Sequence, residues 1–216
     1  MGPASRPPFT NSGAIRRVRD AEEFFMKRDR VHTALERLAR RLDEEGIAYA
    51  ILGGMALNIH GFTRVTRDVD VLLTTEGLRA FGERCVGRGD ARGFEGARKT
   101  FRDTESNVPI EVLTAGEYPG DGKPKPVSFP DPSSVTVDIE GVRVLALPKL
   151  IELKLASGLS ASHRLRDLAD VQDLIVVLKL GRELSESLDA SVRSEYLKLW
   201  ASAQAALSDE QPPTGG

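Results

Sequence analysis

A short strand that runs without a spacer into two glycines and then a helix constrains this chain more than any other stretch. Ile47, Tyr49 and Ile51 alternate as strand residues do, and Leu52 leads directly into Gly53 and Gly54. A helical segment from Met55 to about His60 follows and is closed by Gly61. Glycines at such a junction let backbone N–H groups approach an anion closely, and the helix start adds favourable partial charge. Taken alone, the pair also reads as an ordinary tight turn. The next run, Asp68 to Leu73, is β-branched and apolar apart from two acids and predicts a second strand. Residues two apart on a strand leave the same face with Cα atoms roughly 6.6 Å apart, so the Asp68 and Asp70 carboxylates converge. Unpaired at about 5 Å, the two charges would repel by roughly 3 kcal/mol at an effective dielectric near 20. A hard divalent cation with oxygen ligands, Mg²⁺ above all, answers that repulsion. Neutralisation by Arg64 or Arg67, or an exposed strand edge, is the plainer alternative.

The rest of the pattern is α+β: a small mixed, twisted sheet flanked by helices, with a C-terminal helical part. Residues 1–19 and 208–216 carry no apolar periodicity and are expected to be disordered tails. From Asp20 onward, Phe24, Val31, Leu35, Leu38 and Leu42 mark a helix with one buried stripe, stopped by Gly46. Glu76 to Val86 predicts another helix. Lys99–Arg102 and Val108–Leu113 predict an antiparallel pair that delivers a third core strand, Ile110–Leu113. Five of the twelve prolines fall between Glu117 and Ser134, which makes that stretch a long loop. Val135–Ile139 and Val142–Val144 form a hairpin around Gly141. Pro148 opens a helix over Lys149–Ser157 that Gly158 ends, and helices follow over Leu165–Leu180 and from Leu184 to about Leu207. The expected division is a core over 20–147 and a helical segment over 148–207 packed on it.

Composition sets limits on function. With 30 basic against 32 acidic residues and a formal net charge of -2, bulk positive charge cannot drive nucleic-acid binding. A single cysteine, Cys85, excludes an internal disulfide framework and a cysteine zinc cluster, and fits a reducing, cytoplasmic setting. No apolar stretch approaches the roughly 20 residues of a membrane span, and the start of the chain lacks the apolar segment of a secretory signal.

The sequence Leu52-Gly-Gly-Met-Ala-Leu-Asn-Ile-His-Gly61, followed by Arg64-Val-Thr-Arg-Asp-Val-Asp-Val-Leu-Leu73, resembles the nucleotidyltransferase superfamily. DNA polymerase beta and the aminoglycoside nucleotidyltransferases belong to it. The subgroup most resembled is that of small bacterial nucleotidyltransferase-like proteins, which include toxins of type IV toxin–antitoxin systems. The likeness extends through Leu147-Pro-Lys-Leu-Ile-Glu-Leu-Lys-Leu-Ala156 and Arg164-Leu-Arg-Asp-Leu-Ala-Asp-Val171, and spans about Ala48 to Ile175. The resemblance implies a Mg²⁺-dependent transfer of a nucleoside monophosphate from a nucleoside triphosphate to an acceptor hydroxyl, with pyrophosphate released. It implies Asp68, Asp70 and a third carboxylate at Glu111 as catalytic residues and ligands of two Mg²⁺ ions. The family usually has aspartate at that third position, so the extra methylene of Glu111 shifts the carboxylate. Gly53, Gly54, Arg67 and Lys154 are the implied nucleotide-binding residues. Arg166, Asp167 and Asp170 match a polar cluster of unassigned role, and Asp167 and Asp170 also suit simple pairing with Arg164 or Arg166 on one helix face. Implied partners are a nucleoside triphosphate, an acceptor that is a small molecule, an RNA or a protein, and a cognate antitoxin. The alternative is a catalytically inactive module of the same fold that binds a nucleotide or a protein.

Other residues carry less. His32, His60 and His163 have no metal-ligand spacing. Cys85 has no partner acid or base and is expected to be a buried thiol. Arg98, Lys99, Arg102, Lys123 and Lys125 form a local basic set near the third strand and the proline loop, most simply a solvated face.

Overall fold

The computed structural model describes residues 30–209. Phe24, the predicted beginning of the first helix and most of both tails lie outside the described residues. Helix α1 covers residues 30–44, and its Val31, Ala34, Leu35, Leu38, Ala39 and Leu42 are buried at the predicted helical spacing. Strand β1 (Tyr49–Leu52) is buried at all four positions, so the alternation expected from Ile47 gives way to a strand covered on both faces. Helix α2 (Gly53–Ile59) begins on Gly53 itself. The glycine pair is therefore the first helical turn, with no separate loop before it.

Strand β2 (Val69–Leu73), helix α3 (Thr75–Arg84) and three further strands, β3 (Asp90–Arg92), β4 (Thr100–Asp103) and β5 (Pro109–Thr114), follow. Thr74 caps α3 by accepting from the Gly77 amide at 2.9 Å. The predicted hairpins are present: β4 pairs antiparallel with β5, and β6 (Thr136–Ile139) pairs antiparallel with β7 (Val142–Leu145). Together they make a seven-stranded mixed sheet in the order β3-β4-β5-β2-β1-β7-β6. Strand β3 is an addition that the sequence pattern does not predict.

The sheet is clothed on both faces. Tyr49, Ile51, Val69, Val71, Leu73, Ile110 and Val112 face α1 and Phe81 of α3. The alternate residues Ala50, Leu52 and Leu72 face the C-terminal helices α4 (Leu147–Ser160), α5 (Leu165–Val177) and α6 (Ala190–Asp209). Because strand side chains alternate, Asp70 and Glu111 project to this second face. Within that layer α4 is buried nearly all round, from Leu150 to Gly158.

The helical boundaries differ from expectation in three places. Helix α4 starts at Leu147 and continues through Gly158 to Ser160. Gly158 is a packing position: a Cβ there would lie 2.6 Å from Leu168 Cγ of α5. A glycine that stops a helix and one that admits a neighbouring helix look alike in sequence. Gly158→Ala is expected to cost about 1–2 kcal/mol, overpacking outweighing the helix-propensity gain. A urea midpoint equal to that of the wild type would show that Leu168 swings aside freely. Helix α5 stops at Val177, with Lys179 in the left-handed region at φ 52°. Helix α6 starts at Ala190 after a 3-10 segment over Arg182–Ser187, and it runs on to Asp209.

A second polar cluster joins α1 to the far edge of the sheet. Arg37 Nη2 reaches Asp103 Oδ2 at 2.5 Å, Arg41 Nε lies 2.8 Å from Asp90 Oδ2, and both aspartates are fully buried. Burial pushes Asp103 upward, yet hydrogen bonds from Arg37 and Ser106 prevail and hold its carboxyl at about 2. Burial dominates at Asp90, which rises to about 6 despite Arg41. Cys85 lies beside this layer as the expected buried thiol, its pKa raised by burial to about 11.

Candidate active site

The sheet opens into a cleft of about 340 Å³ where β1, β2 and β5 meet α4 and α5. Leu52 stands opposite Asp70 in the antiparallel β1–β2 ladder, and Asp70 stands beside Glu111 in the parallel β2–β5 ladder. Neighbouring strands are about 4.8 Å apart, which sets the two acids side by side on the same face. Asp68 immediately precedes β2 and also lines the cleft. Its Oδ1 accepts from Thr66 Oγ1 at 2.7 Å.

The glycine pair is explained by what fills the space where side chains would stand. Gly53 has φ +63°, and a Cβ there would lie 1.8 Å from Asp70 Oδ2. A Cβ on Gly54 would lie 2.8 Å from Thr66 Cβ. The turn thus draws the backbone against the acid strand, and no other residue type admits both approaches. Burial, then the neighbouring charges of Asp68 and Glu111, push Asp70 up to about 7, against the opposing pull of Lys154 and Arg64.

Across the cleft, Lys154 of α4 is 7% exposed and its Nζ lies 2.7 Å from Asp170 Oδ2 and 3.1 Å from Asp167 Oδ1. Ser157 Oγ donates to Asp167 Oδ2 at 2.7 Å. Arg64 also donates to Asp170. The pairing of Asp170 expected with Arg164 or Arg166 is replaced by Arg64 and Lys154, which come from other elements. Asp167 keeps only a 3.9 Å approach from Arg164, and Arg166 is exposed. An apolar wall of Leu113, Pro119, Phe129, Leu150 and Leu153 closes the remaining side.

Of the residues expected in a site, Gly53, Gly54, Asp68, Asp70, Glu111 and Lys154 line this one cleft. Arg67 is exposed and does not line the cleft, whereas Arg64 does. Arg64 and Thr66, which the resemblance does not place in the site, are cleft residues. A signal for them exists, because the two-residue period of Asp68 and Asp70 extends backward: Arg64, Thr66 and Asp68 are partly buried while Val65 and Arg67 are exposed. The basic set near the third strand is largely paired, with Lys99 on Glu117 and Lys125 on Asp121 and the Pro119 carbonyl. His60 is engaged with the Leu145 carbonyl at 2.8 Å.

The donor set suits a hard cation, since Asp68 and Asp70 offer carboxylate oxygens and Asp70 feels the negative charge of two neighbours. Among the described residues no three His, Cys, Asp or Glu side chains form a ready-made metal cage. A two-carboxylate site leaves further coordination positions to phosphate and water oxygens.

Solved structures decide the fold. The antibiotic-resistance factor ANT(2″)-Ia in complex with adenylyl-2″-tobramycin is similar over 76% of this chain and 97% of that one, with a TM-score of 0.50 at 17% identity. This chain has the nucleotidyltransferase fold. An antigenic nucleotidyltransferase-like protein from Paracoccidioides brasiliensis is similar over 84% of this chain and 91% of that one, again with a TM-score of 0.50, at 17% identity. No family model and no curated protein matches the sequence. Within the nucleotidyltransferase fold of this chain, the acid strands and the glycine turn occupy the centre of the sheet, and the C-terminal helices supply the cationic wall. No helix among the described residues is long and apolar enough to cross a membrane.

Proposed function

We propose that the protein transfers a nucleoside monophosphate from a nucleoside triphosphate to an acceptor hydroxyl. The observation that carries this reading is the ladder position that sets Asp70 beside Glu111, with the Asp70 carboxylate filling the space a side chain on Gly53 would need. Charged oxygens and close-approaching backbone at one point are what polyphosphate chemistry requires.

Gly53 and Gly54 present backbone N–H groups to the phosphates. Lys154, with Arg64 behind it, offsets triphosphate charge from the opposite wall. The acceptor oxygen attacks the α-phosphorus in line, a new O–P bond forms, the bond to the bridging α,β-oxygen breaks, and pyrophosphate leaves. Glu111 takes the acceptor hydroxyl proton on its carboxylate. Its exposed position on β5 suits an acceptor entering from solvent. Asp68 and Asp70 would hold Mg²⁺, which supplies charge neutralisation to the attacking and leaving oxygens. The apolar wall around Phe129 and Leu153 excludes water from the triphosphate and gives a base or an acceptor ring a surface to lie on.

The test is to incubate the purified chain with each α-labelled nucleoside triphosphate, Mg²⁺ and a fractionated lysate. Label appearing in one acceptor fraction, with stoichiometric pyrophosphate, is the expected result. Binding of a triphosphate without label transfer or pyrophosphate release in any fraction would favour a nucleotide-binding module of the same fold.

A further inference from the structure

The cationic wall keeps a net positive charge, and part of that charge comes from outside the helices that carry it. Lys154 is held between two carboxylates, Asp167 and Asp170, and on its own it would sit in a cluster of net negative charge. Arg64 donates to the same Asp170 oxygen that Lys154 uses, and with the Arg164 guanidinium 3.9 Å from Asp167 the cluster holds three cations against two anions. Arg64 belongs to the segment between α2 and β2, where a side chain has no helix or strand to hold it. Asn58 of α2 supplies the anchor. Its Nδ2 donates to the Arg64 carbonyl at 2.8 Å, and its Oδ1 accepts from the Arg64 amide at 2.7 Å. Both backbone groups of one residue are thereby fixed by one side chain, which sets where the guanidinium emerges.

We propose that Asn58 and Arg64 are positioning residues: Arg64 neutralises Asp170 so that Lys154 keeps a net positive face toward a bound polyphosphate, and Asn58 holds Arg64 in place. The proposal rests on the polyphosphate reading above. Without Arg64, Asp167 and Asp170 cancel Lys154 and Arg164, and the wall opposite Asp68 and Asp70 loses its net positive charge. An incoming anion then meets the acids of the sheet with no attracting wall opposite them. Removing the Asp170 charge as well leaves Lys154 and Arg164 against Asp167 alone and restores the single net positive charge of the wild type.

Calorimetry with inorganic tripolyphosphate, which carries no base, reads this charge balance directly on the full chain. Arg64→Gln is expected to weaken binding about tenfold or more, and to raise KM for the triphosphate more than it lowers kcat. Arg64→Gln combined with Asp170→Asn is expected to recover most of the lost affinity. Asp170→Asn alone is expected to bind tripolyphosphate more tightly than the wild type, the opposite of what loss of a merely structural contact would do. Asn58→Ala is expected to weaken binding by less than Arg64→Gln. If the double variant binds as weakly as Arg64→Gln, Arg64 acts by touching the anion itself and the relay is overturned. If Arg64→Gln binds like the wild type, or Asp170→Asn binds more weakly, the relay is overturned as well. Thermal unfolding followed by circular dichroism accompanies each variant, and should Arg64→Gln not fold, the sign of the Asp170→Asn change still decides. A wild-type protein that binds neither tripolyphosphate nor any nucleoside triphosphate would sink the polyphosphate reading itself, an outcome distinct from failure of the rescue.

Discussion

Asp70→Asn should lower nucleotidyl transfer by about a thousandfold or more, about 4 kcal/mol of transition-state stabilisation, while making the metal-free protein harder to unfold at neutral pH. The two effects have one cause. Asp70 is pushed from 3.8 up to about 7 by burial and by Asp68 and Glu111, so its ionised form is unwelcome in the folded chain. In the unfolded chain the same carboxyl ionises near 3.8. Between about pH 4 and 7 the folded state therefore binds more protons than the unfolded state, and stability falls as pH rises through that window. Below it the carboxyl is protonated in both states and costs nothing. Above it the penalty is complete and on the order of a few kcal/mol, since each tenfold change in proton affinity is worth about 1.4 kcal/mol. Asparagine keeps the shape without the charge. Melting curves of both proteins in chelator at pH 4 and pH 8 should nearly coincide at the lower pH and separate at the higher, with the variant above. A variant that melts lower than the wild type at pH 8, or that keeps turnover within tenfold, would contradict the assignment.

Gly53→Ala should be among the most damaging single-methyl changes at the described residues. The backbone at φ +63° disfavours any L side chain, and the new Cβ would meet Asp70 Oδ2 at 1.8 Å. Strain and overpacking together predict a loss of about 3 kcal/mol, seen as a lower urea midpoint. Activity should fall with it, because the Asp70 carboxylate must move out of the position that the ladder gives it. A second change separates the two losses. Asp70→Ala in the Gly53→Ala background removes the colliding carboxylate and should return much of the stability but none of the transfer. If stability stays low in the double variant, the cost comes from the backbone conformation and the close approach contributes little.

The centre of this molecule is more legible in the sequence than its edges, for physical reasons. Strand β2 and strand β5 carry apolar residues at every second position, and that period alone puts Asp70 and Glu111 on the faces they occupy. Which strands are neighbours is a long-range matter that periodicity does not encode. The parallel β2–β5 ladder of the folded chain is what places Asp70 beside Glu111. Strand β3 is invisible to pattern because Asp-Ala-Arg has no apolar period; its place is fixed by Asp90 pairing with Arg41, forty-nine residues earlier. Arg67 and Arg64 are equivalent in composition, and only the phase of the strand, traced backward past its end, distinguishes the one turned outward from the one turned into the cleft. Spacing offers Asp167 and Asp170 partners nearby in sequence, and Arg164 does approach Asp167 at 3.9 Å, but the closest cations come from α4 and from the segment before β2. Helix geometry says which residues share a side; it is silent about what arrives there.

The clamp of α1 on the far strands bears on how the chain is made. Arg37 closes on Asp103 across sixty-six residues, and Arg41 on Asp90 across forty-nine. At about 5–20 residues per second, Arg37 and Arg41 are made several seconds before the acids they close on. The clamp therefore cannot close before β3 and β4 have been made, although Tyr49 and Ile51, which pack on the apolar stripe of α1, follow it closely in the chain.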